Sequence, residues 1–422
     1  MNRVLMIAYH YPPFCGSSGI QRTLRFSQDL TAFNWQPSVL SAHPRAFERA
    51  SDDLLKDVPA GVDVQRAFAL DASRHLAVFK RYPGWIARPD RWISWLFGAL
   101  FTGLRMIRQH RPNVIWSTYP IATAHLIGYW LSRLSGIPWV ADFRDPMAHV
   151  GYPPDKATWN SYLSVEQKVF AQASRMVFTT PGAARLYSQR YASQANRIRI
   201  IENGYDEASF SDLPLPTSQL PLNPGKFTLL HSGIVYPEWR NPKQLFAALR
   251  RLIDSGLIDP NMIRVRFRAS GHPDFLASLV ASHALDDLVQ ILPPVGYKAA
   301  LAEMCAADGL LVLQSHDCSD QIPAKVYEYL RAQKPILGIC GNVGDTADVL
   351  RQAGFKHLAP LEQSQPIGDA LVNFLDDIRN GVTPSSNRKF VESASRSAKA
   401  GALADLFDKV HTEHVSRKNV AP

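Results

Sequence analysis

Ser211 to Gly225 reads SDLPLPTSQLPLNPG, with prolines at 214, 216, 221 and 224 and no apolar period. Proline neither donates to a ladder nor continues a helix, so a stretch this rich in it reads as a connection between folded bodies. On its N-terminal side, short apolar or β-branched runs recur at Val4–Ala8, Pro37–Leu40, Val114–Trp116, Trp139–Ala141, Met176–Phe178 and Ile198–Ile201. On its C-terminal side they recur at Thr228–His231, Arg264–Arg268, Val289–Leu292, Leu310–Leu313 and Pro335–Ile339. Longer helical patterns fill the intervals, which is the alternation of parallel α/β architecture. The expected organisation is a doubly wound domain over 1–210, a linker over 211–225, a second such domain over 226–386 and a helical segment over 387–422. In that segment Leu403, Leu406 and Val410 fall on one side at helical spacing. Two wound sheets facing each other form a cleft at the carboxyl ends of their strands, so the loops there are the ones to read for chemistry.

The 422 residues are 46% hydrophobic and 20% charged, ordinary for a soluble globular chain with two cores. Met1–Ala8 holds one arginine and a short apolar run ending at His10-Tyr11-Pro12-Pro13, a first strand rather than an export signal. Cys15, Cys305, Cys318 and Cys340 have no paired spacing, which argues against a disulfide framework or a cysteine metal site and fits a reducing cytoplasm. The net charge of +9 points to an anionic partner: nucleotide, phospholipid surface or nucleic acid. No nucleic-acid-binding motif accompanies the charge, so no nucleic acid is expected. Much of the excess lies between Arg74 and Arg111, where Lys80, Arg81, Arg88, Arg91, Arg105 and Arg108 mix with Tyr82, Trp85, Trp92, Trp95, Phe97 and Phe101. The apolar run Trp92–Leu104 is too short to span a bilayer. Two readings stay open: a helix lying in an anionic membrane interface, or a core helix with solvated basic ends.

Four strand-end loops hold candidate groups. After the first strand comes YHYPPFCGSSG, where Gly16 and Gly19 let backbone approach a phosphate or sugar before an amphipathic helix. ADFRDP places Asp142, Arg144 and Asp145 at a strand's carboxyl end, either as groups that steady developing charge or as an ion pair ordering the loop. HSG turns at Gly233 and leads to Arg240, whose guanidinium fork matches diphosphate oxygens. In DQIPAKVYEYL, Pro323 reads as the first residue of a helix and Ile322 before it has no side-chain acceptor, so first-turn amides are open to an anion. Lys325 opposes the helix dipole there and Glu328 follows on the same face, suited to ribose hydroxyls, while Asp320 on the loop faces a sugar and Gln321 lies between. No Asp-any-Asp triplet occurs, so no metal or other cofactor is expected and a departing diphosphate would be neutralised by arginine, lysine and amides.

Taken in order, YHYPPFCGSSG, ADFRDP, NGYD, the HSG turn to Arg240, and PAKVYEYL followed by Lys334-Pro335-Ile336-Leu337 resemble the family 4 type of retaining glycosyltransferases. The resemblance covers nearly the whole chain. It implies the GT-B fold, two Rossmann-like doubly wound domains facing across a cleft, with a C-terminal helix crossing back to the first. It implies a nucleotide-sugar donor held by the second domain and an acceptor held by the first. Glu328 would take the ribose, Asp320 would stand near the sugar, Arg240 with Lys325 would hold the diphosphate, and Gly233, Gln321, Ile322 and Pro323 would line the same site. Gly16 and Gly19 would close over donor and acceptor. Three positions depart from the family pattern: Asp320 replaces a glutamate, Ile234 stands where many members have arginine, and Arg144 where many have histidine. The basic, aromatic first domain suggests a lipid-linked saccharide acceptor in surface-polysaccharide biosynthesis, met at the inner face of the cell membrane. The alternatives are a soluble acceptor, a GT-B sugar-nucleotide epimerase, and a non-catalytic partner protein.

Overall fold

The computed structural model describes residues 1–15, 19–79, 81–211, 213, 221–382 and 387–420. The chain divides into two compact units, Met1–Asn203 with Arg396–Pro422, and Gly204–Ser395. The first holds seven parallel strands, β1 (Asn2–Ile7), β2 (Trp35–Ala42), β3 (Asp63–Ala67), β4 (Val114–Thr118), β5 (Trp139–Arg144), β6 (Arg175–Phe178) and β7 (Ile198–Ile200), in the order β3-β2-β1-β4-β5-β6-β7. The second holds six, β8 (Phe227–Ser232), β9 (Ile263–Arg268), β10 (Val289–Leu292), β11 (Gly309–Leu313), β12 (Ile336–Ile339) and β13 (Leu358–Ala359), in the order β10-β9-β8-β11-β12-β13.

The central strands read as unbroken apolar runs because both faces are covered. Leu5 and Ile7 enter one core while Val4 and Met6 enter another on the opposite face. Leu229, Leu311 and Leu313 likewise separate from Leu230, Leu310 and Val312. The edge strands β3 and β13 fall outside the expected series. DVQRA buries only Ala67 and β13 is two residues long, so neither shows an apolar run. In each sheet the strand order reverses at one place, between β1 and β4 and between β8 and β11. Loops diverge there and leave a crevice at the carboxyl ends.

The unit boundaries differ from the expected ones. The first crossing falls at Asn203-Gly204, not after residue 210, because Tyr205 and Phe210 are buried in the second unit's core and Arg331 Nε donates to Glu207 at 2.7 Å. Leu213 and Leu222 pack against that same core, so the described part of 211–225 belongs to the second unit; residues 212 and 214–220 lie outside the described ones. The return falls at Arg396, not 387, since Val391 and Ala394 are buried with the second unit. The helix Arg396–Val420 then lays Leu403, Leu406, Phe407 and Val410 over the Val4 and Met6 face of the first sheet.

Candidate functional site

In the second unit, the chemistry gathers at the β8/β11 reversal. Gly233 follows β8 at φ +114°, a conformation side chains rarely adopt, and a Cβ there would stand 3.1 Å from Lys325 Nζ. Glycine is thus required both by the turn and by the ammonium beneath it. His231, at the end of β8 and fully buried, meets Leu311 O through Nδ1 at 2.9 Å and Lys325 Nζ through Nε2 at 2.9 Å. A carbonyl oxygen only accepts, so Nδ1 carries the proton and Nε2 offers its lone pair to the lysine. Burial, then Arg240, holds the Lys325 ammonium well below the usual lysine range, with Glu328 pulling the other way. Burial likewise lowers Arg240, whose Nη1 donates to Ile234 O at 3.2 Å and whose guanidinium lies over Tyr236 at 5.3 Å. Burial also keeps His231 neutral, reinforced by Lys325. Two basic groups are thus crowded beside a neutral imidazole, an arrangement in which added negative charge would stabilise their charged forms.

The adjoining helix, Lys325–Ala332, has no side-chain cap at its start. It begins two residues later than expected: Val326 N bonds Pro323 O at 2.9 Å and Tyr327 N bonds Ala324 O at 3.2 Å, so Pro323 and Ala324 form a tighter lead-in turn. Tyr297 Oη donates to Glu328 Oε1 at 2.9 Å, and Ser232 N donates to Tyr329 Oη at 2.8 Å. Gln321 is held through its backbone, its N–H on Cys318 O and its carbonyl accepting from Gln314 Nε2 at 2.9 Å and Thr346 Oγ1 at 2.8 Å. Ile322 buries its side chain in the core, and Asp320 is exposed on the loop. Of the expected donor-binding groups, Gly233, Arg240, Lys325 and Glu328 therefore converge.

In the first unit, the corresponding reversal gathers His10, Gly19 and Arg144. β5 shifts register between Asp142 and Arg144, and Arg144 takes φ +61°, which turns its side chain out of strand alternation. Its Nη1 donates to Tyr119 O at 3.3 Å and would stand 2.3 Å from a Cβ on Gly19; its Nε is buried and meets no acceptor among the described residues. His10 stacks on Phe14, ring centroids 4.4 Å apart, and burial with Arg144 pushes its imidazole down to about 3. Asp145 is exposed and Gly16 lies outside the described residues. Asp142, expected among the catalytic groups, is fully buried and gripped by Arg22, Nε to Oδ2 at 2.9 Å and Nη2 to Oδ1 at 3.0 Å, with Thr118 Oγ1 at 3.2 Å. That carboxylate is spent on holding the loop. Sequence reading missed His231, Tyr297, Tyr329, His10 and Arg22; the only signal was that His10 and His231 sit at strand ends.

The aromatic segment divides. Trp95 is buried and Trp92 donates from Nε1 to Ala46 O at 3.2 Å, whereas Phe79 (95%), Trp85 (74%), Phe97 (74%) and Phe101 (76%) are exposed. On the helix Trp95–His110, Phe97 and Phe101 continue into exposed Arg105 and Arg108 along one stripe. Arg88 and Arg91 instead pair with Asp155 and Asp71 at 3.6 and 3.5 Å. Among the described residues no helix is long and apolar enough to cross a membrane.

Solved structures share this architecture. Sucrose-phosphate synthase from Thermosynechococcus elongatus aligns with a TM-score of 0.69 at 15% identity, covering 98% of this chain and 100% of that one. HepE of Anabaena in complex with UDP-glucose aligns at 0.60 and 14%, covering 99% of each chain. The two parallel-sheet units therefore define the GT-B fold. Residues 18–204 match the model of a glycosyl transferase 4-like domain. It is 27% identical over 280 residues to a D-inositol 3-phosphate glycosyltransferase of Geodermatophilus obscurus, covering 58% of this chain and 60% of that protein. Against the protein of that name from Kineococcus radiotolerans it is 28% identical over 252 residues, covering 54% of each. The chain thus spans 60% or less of these relatives' length.

Proposed function

We propose that this protein moves a hexose-type sugar, with retention, from a nucleotide-diphosphate donor to a hydroxyl of a lipid-linked saccharide at the inner face of the cell membrane, in surface-polysaccharide biosynthesis. The observation that carries this reading is the convergence of Lys325 and Arg240 at the Gly233 turn, one helical turn from Glu328. Arg240, Lys325 and the uncapped helix start hold the diphosphate, Glu328 the ribose, and Asp320 stands toward the sugar, while Gly19, Arg144 and Asp145 serve the acceptor side. The anomeric carbon–oxygen bond to phosphate breaks as the acceptor oxygen bonds to the same face, and the hydroxyl proton passes to the departing phosphate. Charge developing on that phosphate is met by the two cations. A thermal-shift screen of nucleotide sugars, followed by assay of released nucleoside diphosphate, tests the reading. No shift with any UDP- or GDP-sugar, and no release, would refute it.

Turnover is expected to persist in excess chelator, because Arg240 and Lys325 would neutralise the departing diphosphate without a metal. Activity lost to chelator and restored by magnesium or manganese would overturn that. The lipid acceptor is supported by the exposed stripe of Phe97, Phe101, Arg105 and Arg108, apolar residues followed by cations that fit an anionic leaflet. Co-sedimentation with anionic liposomes is expected for the parent, to weaken as salt rises, and to be lost in a Phe97→Ser, Phe101→Ser, Arg105→Gln, Arg108→Gln variant. Equal, negligible binding of both proteins would favour a second reading, transfer to a soluble phosphorylated polyol. The relatives' name supports that reading, as does the buried Arg144 Nε, which meets no acceptor among the described residues. Turnover with inositol phosphate and none with lipid-linked saccharide would establish it.

A further inference from the structure

His231 has no role in the donor reading above, yet it is the group that touches Lys325. Its position is over-determined: β8 pairs with β11, the Nδ1–H is fixed on Leu311 O, and the ring packs against Phe267 with centroids 5.7 Å apart. The remaining lone pair on Nε2 points at Lys325 Nζ, 2.9 Å away, directly under the Gly233 turn. A lysine side chain has many rotamers, and tethering its nitrogen before the ligand arrives removes that ordering cost from binding. We infer that His231 is a positioning residue that presents Lys325 Nζ to the donor's diphosphate and lets the lysine take up a proton as the anion binds. The inference rests on the reading of this cluster as the diphosphate site.

The proton follows from the groups that face Lys325. Burial and Arg240, on the loop after β8, disfavour an ammonium, and Glu328, on the lysine's own helix, favours one; His231, itself kept neutral, accepts from Nζ, and Tyr329 is engaged with Ser232 N. In the empty site the ammonium is destabilised, with its pKa lowered by burial and by Arg240. A diphosphate reverses the balance by adding negative charge at the same nitrogen. The lysine pKa therefore rises on binding, and affinity falls as pH climbs above its value in the empty site. Ligand ionisation works in the opposite direction and is shared by every variant.

The test uses the full chain, titrated with UDP, GDP and inorganic pyrophosphate by calorimetry at several pH values and in two buffers of different ionisation enthalpy. His231→Leu removes both hydrogen bonds, and should weaken diphosphate binding roughly tenfold or more, as for a lost bond to a charged group. His231→Gln keeps one acceptor for the lysine and one donor for Leu311 O, and should stay within roughly threefold of the parent by the same reasoning. The donor KM should rise in His231→Leu with little change in the acceptor KM. Lys325→Met should lose both affinity and proton uptake. If Lys325→Met weakens binding while His231→Leu and the parent bind alike, the positioning role is wrong and the donor site stands. Equal loss in the leucine and glutamine variants, tracking a fall in melting temperature, would show that the ring only fills the core. If the parent binds none of the three probes, or Lys325→Met binds all of them unchanged, the donor reading and this inference fall together.

Discussion

Asp142→Ala is expected to destabilise the first unit by about 3–5 kcal/mol, the usual cost of removing one partner from a buried ion pair. Arg22 is only 6% exposed and Asp142 not at all, and their two bonds run in parallel, the geometry in which a guanidinium matches a carboxylate. The arginine does not stop there: Nη1 donates to Glu202 O and Nη2 to Ile201 O, both at 3.0 Å. Without the carboxylate, a buried cation keeps its carbonyl partners and loses its counter-charge. Removing both charges should cost much less than the sum of the single losses, because neither is then left uncompensated. Urea denaturation of Asp142→Ala, Arg22→Met and the double variant measures this, with the two units' transitions fitted separately where they resolve. Single losses below about 1 kcal/mol that simply add would mean that the pair is solvent-accessible in solution and that Asp142 is free for chemistry after all.

That pair also marks where sequence reading stops. Strands such as Thr228–His231 and Leu310–Leu313 were legible because burial on both faces forces consecutive apolar residues. β3 and β13 were not, since an edge strand needs little apolar surface. Asp142 was visible at a strand end, but its partner lies 120 residues away on the helix Gly19–Asp29, and nothing local distinguishes Arg22 from Arg25. The same holds for His231 and Lys325, 94 residues apart. Both were quoted in motifs, and only the β8/β11 pairing brings them into contact. The aromatic segment shows a third limit. Composition mixes Trp92, Trp95, Phe97 and Phe101 in one run, and it is helix phase that buries Trp95 and exposes the two phenylalanines. The crossing at Asn203-Gly204 was concealed by the more conspicuous proline-rich stretch after it, of which the described Leu213 and Leu222 pack against the second unit's core.

Glu328→Ala is expected to weaken nucleoside diphosphate binding by about 1.5–3 kcal/mol, roughly ten- to a hundredfold, if its carboxylate accepts from the ribose hydroxyls. The geometry favours that use of the residue. Its helix turns Tyr327, Tyr329 and Leu330 into the core and leaves Glu328 part-exposed on the side that faces Tyr297. Tyr297 occupies one oxygen, Oε1, and so fixes the carboxylate's rotation. Tyr297→Phe should therefore weaken binding by a smaller amount, about 0.5–1.5 kcal/mol, through looser positioning rather than loss of the acceptor. Inorganic pyrophosphate separates this role from a general electrostatic one, because it has no ribose. Removing a carboxylate near Lys325 and Arg240 should leave pyrophosphate binding unchanged or slightly tighter, while UDP and GDP bind more weakly. Calorimetric titration of the three ligands against both variants reads the difference directly. If all three ligands weaken together, Glu328 supports the fold of the site instead of recognising the sugar ring. If UDP and GDP bind Glu328→Ala as they bind the parent, the ribose assignment is wrong and the base-proximal part of the donor must be held elsewhere on the second unit.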